Sequence, residues 1–287
     1  MKLNKEHKIL IVGLGLLGGS YAKALSKHGY EVWAITRDQS SIDYALERGM
    51  ISKGSAFVDE ELCANADIVV FALYPHVFVE WIEQNQQLLK SGAILTDVTG
   101  VKSCIVEKIQ ASLRSDLEFI AAHPMAGRER SGVENSDDAI FRGANYVVTP
   151  TASNTPEAIE LCEDMGWKLG FSRVSRLSPE EHDEIIAFVS QLTHCIAISL
   201  MTCQPTEQPL EDYTGDSFRD LTRIARMNDE MWSELFLLNK DALLEQMSLF
   251  QDELSKLKIL LREGNREGLR DMMRKSTARR ALFDKKN

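Results

Sequence analysis

The sequence predicts an α/β domain with a doubly wound, mostly parallel sheet, followed by an all-helical domain. Three observations predict it: short β-branched runs alternate with helical patterns in the first half, a glycine-rich turn follows the first run, and no strand pattern occurs after Ser178. A chain of 287 residues also exceeds one typical domain. We therefore expect a dinucleotide-binding domain over 1–174 and a helical domain over 175–287.

The predicted elements alternate as βαβ units require. The expected strands are Lys8–Val12, Glu31–Ile35, Asp67–Ala72, Ala93–Thr96 and Asn145–Thr149. The expected helices lie around 19–28, 40–48, 77–89, 102–114 and 156–168.

The second half begins with a helix-start signal at Ser178-Pro179-Glu180-Glu181. Serine suits the N-cap, proline the first helical position, and a carboxylate three residues after the cap completes a capping box. The apolar stretch 185–201 is too short for a confident membrane span and contains polar residues, among them Gln191 and His194. It predicts a buried helix.

Composition excludes several classes of protein. The net charge of -10 argues against a nucleic-acid-binding surface, which needs a basic face. The five cysteines are odd in number and form no C-x-x-C pair, so neither a disulfide framework nor a metal site is indicated. The polar N-terminus lacks the pattern of a secretory signal. These features predict a cytoplasmic protein with no membrane segment.

The segment Gly13-Leu14-Gly15-Leu16-Leu17-Gly18 follows the first predicted strand and opens a helix. In a G-x-G-x-x-G turn the first glycine permits the tight turn, the second lets the backbone approach a pyrophosphate, and the third allows close helix packing. This context predicts a Rossmann-type cofactor site that includes Leu16 and Leu17.

The tip of the second strand selects the cofactor. An NAD enzyme usually places an acid there, which accepts from the ribose 2′-hydroxyl. This chain has Thr36 and Arg37 instead, a pair that suits a 2′-phosphate, and we therefore expect NADP. The alternative is NAD, with Asp38 in the usual acidic role.

Candidate catalytic residues lie in both halves. His123 follows the apolar run 119–122, and a neutral imidazole at a strand end could take a proton from a substrate hydroxyl as hydride leaves. Ser190 and His194 share a face of an apolar helix. The alternatives are that His123 is structural and that the Ser190–His194 pair is a satisfied core hydrogen bond.

Three arginines recur at spacings of four and three, and Trp232 follows them. The predicted helix face of Arg219, Arg223 and Arg226 suits carboxylate recognition by forked hydrogen bonds. The alternative is a solvated or dimer-contact face.

Five motifs together resemble the prephenate/arogenate dehydrogenase family of tyrosine biosynthesis. They are GLGLLGGS at 13–20, DVTGVKS at 97–103, AAHPMAGRERSGVE at 121–134, FVSQLTH at 188–194 and FRDLTRIARMNDEMWSELFLLNK at 218–240. The resemblance covers almost the whole chain in the right order.

The resemblance implies an NAD(P)-dependent oxidative decarboxylation of prephenate to 4-hydroxyphenylpyruvate, or of arogenate to tyrosine. It implies His123 as the base and Arg223 as the ligand of a substrate carboxylate. His194 and Ser190 would line the pocket, with Glu129 near its mouth. Trp232 would approach the neighbouring subunit's pocket, which implies a homodimer built through the helical domains.

One position departs from the family pattern Asp-x-x-Ser-Val-Lys, because Gly100 stands where a serine is expected. Either Thr99 supplies the missing hydroxyl or His123 is oriented in another way. Two further alternatives remain: a β-hydroxyacid-type dehydrogenase, and a cofactor-sensing module without turnover.

Overall fold

The first half of the chain folds into strands separated by helices. In the computed structural model, which describes residues 2–127, 130–204 and 209–284, every strand precedes residue 177. The strands are β1 Lys8–Val12, β2 Glu31–Ile35, β3 Lys53–Ser55, β4 Ile68–Phe71, β5 Ile94–Asp97, β6 Glu118–Phe119, β7 Ala121–Met125, β8 Asn145–Thr149 and β9 Arg173–Arg176.

The main sheet is parallel throughout the described part of the chain. Its six strands run in the order β3-β2-β1-β4-β5-β6, and this order makes the sheet doubly wound, as the sequence predicted. In register, Val12 pairs with Phe71 and Phe71 pairs with Asp97. The carboxyl ends of β1, β4 and β5 therefore meet at one edge of the sheet.

Helices connect these strands. They are α1 Leu16–Lys27, α2 Gln39–Glu47, α3 Glu60–Asn65, α4 Pro75–Asn85, α5 Ser103–Ser112 and α6 Pro156–Leu169. The sequence located all of them except α3, which is only six residues long. Strand β3 was also missed, because its sequence KGS has no apolar run.

A second, three-stranded sheet of order β7-β8-β9 corrects the expectation that Asn145–Thr149 belongs to the main sheet. Strand β8 pairs antiparallel with β7 and parallel with β9. His123 pairs in register with Val147, so it lies in the middle of β7 rather than at the carboxyl end of a strand.

The apolar core covers both faces of the main sheet. Along β1, Ile9 and Ile11 belong to one buried cluster, whereas Leu10 and Val12 belong to another. This alternation places successive side chains on opposite faces, as the pleat requires. Both faces are buried, which explains why the strands are continuous apolar runs.

The helical segment after β9 starts as predicted. Helix α7, Pro179–Ile186, has Ser178 at its N-cap, and a complete capping box joins Ser178 to Glu181. A π-helical turn, Ala187–Gln191, connects α7 to α8, Leu192–Thr202. Further helices are α9 Asp216–Thr222, α10 Asp229–Leu238, α11 Lys240–Arg262 and α12 Arg266–Arg280.

By length and composition the continuous helix Pro179–Thr202 could cross a membrane. In the single chain, 28 % of the most apolar stretch of this helix is buried. It is therefore less buried than the sequence predicted. Ile185, Phe188 and Val189 on its surface are more than 40 % exposed.

The chain divides into two compact units, Met1–Asn239 and Lys240–Asn287. The first contains both sheets and the helices up to α10, and the second contains α11 and α12. The division predicted between residues 174 and 175 stays a prediction.

Candidate active site

The glycine turn between β1 and α1 leaves space for a ligand. Gly13 has a φ of 102°, and a Cβ there would lie 2.4 Å from the Ala72 carbonyl oxygen. A Cβ at Gly18 would lie 1.9 Å from the carbonyl oxygen of Gly13, so the helix packs directly on the turn. By contrast, a Cβ at Gly15 would meet nothing within 4 Å. The open position at the N-terminus of α1 therefore fits a pyrophosphate, whose charge the N–H groups can hold.

Leu16 and Leu17, which begin α1, are both partly buried. The tip of β2 presents Thr36, which is partly buried, and Arg37, which is exposed. The next residue, Asp38, is the N-cap of α2, and its carboxylate accepts hydrogen bonds from the N–H groups of Ser40 and Ser41.

A buried polar cluster closes the carboxyl end of β5. The Lys102 ammonium forms an ion pair with Asp97 Oδ2 at 2.7 Å, and both side chains are fully buried. The Thr99 hydroxyl donates to the same carboxylate oxygen. The Ala122 N–H donates to Asp97 Oδ1 at 3.1 Å, which ties the strand carrying His123 to the carboxyl end of β5.

His123 is hydrogen-bonded through its ring to helix α7. Its Nδ1 lies 2.9 Å from Nε2 of His182, which is fully buried. Burial lowers the pKa of His123 well below its usual 6.5, and the neighbouring His182 and Lys102 lower it further. The imidazole is therefore neutral at physiological pH, as a proton acceptor must be.

Asp183 holds the start of α5 and the ring of His182. Its two carboxylate oxygens accept from the N–H groups of Lys102 and Ser103, each at 2.8 Å. His182 Nδ1 lies 2.8 Å from Asp183 Oδ1. Although burial raises the pKa of Asp183, hydrogen bonds from His182 and Ser103 bring it below its usual 3.8.

Gly100 lies against the free side of the His123 ring. A Cβ built on Gly100 would lie 3.9 Å from His123 Nε2 and 3.6 Å from a methyl carbon of Leu235 on α10. The Thr99 hydroxyl has Asp97, the Val101 carbonyl and Lys102 as its partners, and not His123. Of the two alternatives for the missing serine, the geometry favours a different orientation of His123.

The π-helical turn positions His194. The carbonyl oxygen of Ser190 lies 2.9 Å from His194 Nδ1, so this predicted pair meets through the backbone of Ser190. The ring of His194 stacks on Trp232 of the same chain, with the ring centroids 3.6 Å apart. Trp232, which the family resemblance relates to the partner's pocket, therefore also packs within its own subunit.

A buried amide pair fastens α10 to this region. Gln191 donates to the Leu235 carbonyl at 3.0 Å, and Asn239 donates to the Gln191 side-chain oxygen at 2.8 Å. Asn239 also donates to the Asp183 carbonyl at 2.9 Å. Helix α10, whose Leu235 lies beside Gly100, is thus linked to Asp183, which holds the ring of His182.

The three arginines do not share one helix face, which corrects the sequence-based expectation. Arg219 lies on α9 and pairs with Asp216, whereas α9 ends at Thr222. Arg223 begins a 3-10 turn, and Arg226 lies beyond that turn in an extended conformation. The turn with Arg223 packs against α8, the helix that carries His194. Glu129 lies outside the described residues.

Sequence reasoning assigned no roles to Asp97, Lys102, His182 or Asp183. His182 and Asp183 are 59 and 60 positions beyond His123, so only the fold brings them to it. The available signal was an adjacent histidine and aspartate in the first turns of an apolar helix. Lys102 carried a signal too, because it follows Asp97 within the motif DVTGVKS.

Two family models match the chain. The nucleotide-binding domain of prephenate dehydrogenase matches residues 21–172, and the dimerization domain of prephenate dehydrogenase matches residues 178–275. Together they cover most of the chain.

Similar proteins include enzymes for both candidate substrates. The prephenate dehydrogenase of Lactococcus lactis is 33 % identical over 257 residues, which are 87 % of this chain and 70 % of that protein. The structure of Aquifex aeolicus prephenate dehydrogenase with hydroxyphenyl propionate and NAD+ is 30 % identical, covers 97 % of this chain and 98 % of that one, and has a TM-score of 0.88. Synechocystis arogenate dehydrogenase is 26 % identical, with a TM-score of 0.83 over 96 % of this chain and all of its own.

Proposed function

The chain belongs to the prephenate dehydrogenase family, and from this premise we propose that it oxidatively decarboxylates prephenate to 4-hydroxyphenylpyruvate with His123 as the base. The observation that carries the proposal is the neutral, partly buried ring of His123, whose Nδ1 is engaged and whose Nε2 faces Gly100. Arogenate, which would give tyrosine directly, is the alternative substrate.

The strand that carries His123 is tied to the same edge of the main sheet as the glycine turn. Ala122, the neighbour of His123, is bonded to Asp97 at the end of β5, and Gly13 follows the end of β1. Strands β1 and β5 are separated only by β4, so their ends lie about 10 Å apart at the usual strand spacing. This separation suits a nicotinamide ring reaching from the pyrophosphate site towards His123.

A nicotinamide cofactor, when bound, supplies the hydride acceptor. His123 Nε2 accepts the proton of the ring hydroxyl while the C–H bond on the same carbon breaks, and that carbon becomes a carbonyl. The ring carboxylate then leaves as carbon dioxide, and its bonding electrons complete the aromatic ring. His123 returns the proton to the resulting phenolic oxygen, so the base is regenerated.

Five residues are proposed to bind the substrate. Arg223 pairs with a carboxylate by forked hydrogen bonds. His194, Ser190 and the stacked Trp232 line the pocket, and the family resemblance implies a place near its mouth for Glu129, which is outside the described residues. Support for this set comes from the family motifs and from the packing of the Arg223 turn against α8.

The chain binds a nicotinamide cofactor, and we propose that it prefers NADP to NAD. Asp38 is the acid that would accept from a ribose 2′-hydroxyl, but its carboxylate is engaged as the cap of α2. Arg37 is exposed at the tip of β2, where a guanidinium can pair with a 2′-phosphate. We further propose a cytoplasmic homodimer formed through the helical domains.

One steady-state experiment tests the function. Purified protein is assayed for reduced nicotinamide with prephenate and with arogenate, each crossed with NAD and NADP. The proposal predicts the highest kcat/KM for prephenate with NADP. Cofactor binding without turnover of either substrate would instead identify a sensing module, and a higher value with arogenate would reassign the substrate.

A further inference from the structure

We propose that His182 is a positioning residue for His123: with Asp183 it forms a hydrogen-bond chain that keeps the proton of His123 on Nδ1 and leaves Nε2 free of hydrogen. The assignment of Nε2 as the base rests on the proposed function. The positions of the protons along this hydrogen-bond chain do not rest on the proposed function, because they follow from the contacts and the burial of the three residues.

The hydrogen-bond chain starts at Asp183, whose ionised carboxylate can only accept hydrogen bonds. Both of its oxygens already accept N–H groups, from Lys102 and Ser103, and such donors favour the ionised carboxylate. An ionised carboxylate has no proton to give. His182 Nδ1, 2.8 Å from Asp183 Oδ1, must therefore carry the hydrogen of that bond.

The second link follows from the burial of His182. The ring is fully buried, and this burial lowers the pKa of His182 despite the opposing effect of Asp183. A neutral imidazole has one N–H and one bare nitrogen. Since Nδ1 of His182 holds the hydrogen, its Nε2 is an acceptor.

The last link fixes His123. Its Nδ1 faces the bare Nε2 of His182 at 2.9 Å, so Nδ1 carries a hydrogen and donates it. His123 is neutral as well, which leaves its Nε2 as the bare nitrogen. That atom faces Gly100, on the side of the ring where the substrate hydroxyl is proposed to bind.

Because position 100 is a glycine, His123 is oriented by the hydrogen-bond chain through His182 and Asp183. A side chain at position 100 would begin 3.9 Å from His123 Nε2, but glycine offers no hydroxyl, and the hydroxyl of Thr99 is directed to Asp97. Among the hydrogen bonds of the described residues, the His123 ring has only His182 as a partner. Orientation and tautomer are therefore both set from the Nδ1 side.

The first test reads the tautomer directly. The full-length protein is labelled with 15N-histidine, and nitrogen–proton correlation spectra are recorded near neutral pH without cofactor or substrate. His123→Asn and His182→Asn spectra provide the assignments. We expect both rings to be neutral with hydrogen on Nδ1. A hydrogen on Nε2 of His123 would overturn the proposal.

The second test uses two amides of different reach at position 182. In His182→Gln the side-chain amide occupies the place of Nε2, so its oxygen can accept from His123 Nδ1. In His182→Asn the amide occupies the place of Nδ1, so it keeps the bond to Asp183 and cannot reach His123. We expect kcat of His182→Asn to be about 100-fold lower than that of His182→Gln, within the range that a positioned base contributes, with KM little changed.

A purely structural role gives a different pattern. If His182 serves only to hold Asp183 and the start of α5, then His182→Asn, which retains that bond, should be the more active and more stable variant. Thermal unfolding of both proteins checks that they fold. The proposed function and the hydrogen-bond chain can also fail separately. Hydrogen on Nδ1 of His123 without prephenate turnover would contradict the proposed function. Prephenate turnover with hydrogen on Nε2 of His123 would contradict the proposed hydrogen-bond chain.

Discussion

At the scale of single residues, the site depends on the protonation state of His123. Its pKa lies well below 6.5, chiefly because burial penalises the imidazolium, and its neighbours His182 and Lys102 act in the same direction. Asp97 balances the positive charge of Lys102 through their ion pair, and the neutral His182 is hydrogen-bonded to Asp183. The ring of His123 is therefore a weak base that is unprotonated at neutral pH.

This state predicts the pH dependence of catalysis. Since the base must be unprotonated, kcat/KM should fall only as pH drops through the lowered pKa of His123. The acidic limb of the kcat/KM profile should thus lie well below pH 6.5. A limb at or above 6.5, with cofactor saturating, would show that His123 is not the titrating base.

Arg37 gives a prediction about cofactor choice. Replacing Arg37 with alanine should raise KM for NADP by about tenfold to a hundredfold, the worth of a charge-assisted hydrogen bond, and leave KM for NAD nearly unchanged. Arg48→Ala is the control, because Arg48 is also exposed but lies at the other end of α2, against Tyr44. Equal effects of Arg37→Ala on both cofactors would contradict the NADP proposal.

At the scale of elements, two glycines in the turn from β1 to α1 have different roles. A Cβ on Gly18 would collide with the Gly13 carbonyl, whereas a Cβ on Gly15 would enter open space. Gly18 is thus required by the fold of the turn, whereas we expect Gly15 to be required only for ligand binding.

Two alanine variants separate these tasks. Gly18→Ala should lower the free energy of unfolding by about 1–3 kcal/mol or more, the usual cost of overpacking. Gly15→Ala should change it by less than about 0.5 kcal/mol while weakening cofactor binding. Urea unfolding without cofactor, together with cofactor titration, measures both. A stable Gly18→Ala protein, or normal cofactor affinity in Gly15→Ala, would contradict this division.

Local signals explain which elements the sequence predicted. Strands β1, β2 and β8 were predicted with their observed bounds because each is a continuous run rich in apolar or β-branched residues. Strand β7 was harder, since His123 and Pro124 interrupt its pattern. The partner of His123 could not be predicted, because His182 reaches it only through the packing of α7, and Asp183 is linked to it only through His182.

At the scale of the whole molecule, the chain keeps apolar surface that a monomer would expose. Residues 178–275 match a dimerization domain, and exposed apolar side chains occur on the continuous helix Pro179–Thr202 and, separately, on α11. Large exposed apolar surfaces usually mark interfaces. We therefore expect the 32.3 kDa chain to form a dimer in solution.

A charge on α11 tests this expectation. Leu254 is 54 % exposed on α11, and Leu46, which is 40 % exposed on α2, serves as the control. Leu254→Glu should weaken the dimer in sedimentation equilibrium, because a carboxylate is costly to bury, whereas Leu46→Glu should not. Monomeric wild-type protein, or the same behaviour in both variants, would count against a dimer formed through the helical domain.

The most direct test of the central claim compares wild-type protein with His123→Asn in the prephenate assay. The account predicts prephenate-dependent reduction of the cofactor by the wild type, and a kcat about 10²–10⁴-fold lower in the variant, the usual contribution of a general base. Cofactor binding should be retained, since the glycine turn is untouched. Undiminished turnover by His123→Asn would contradict the account.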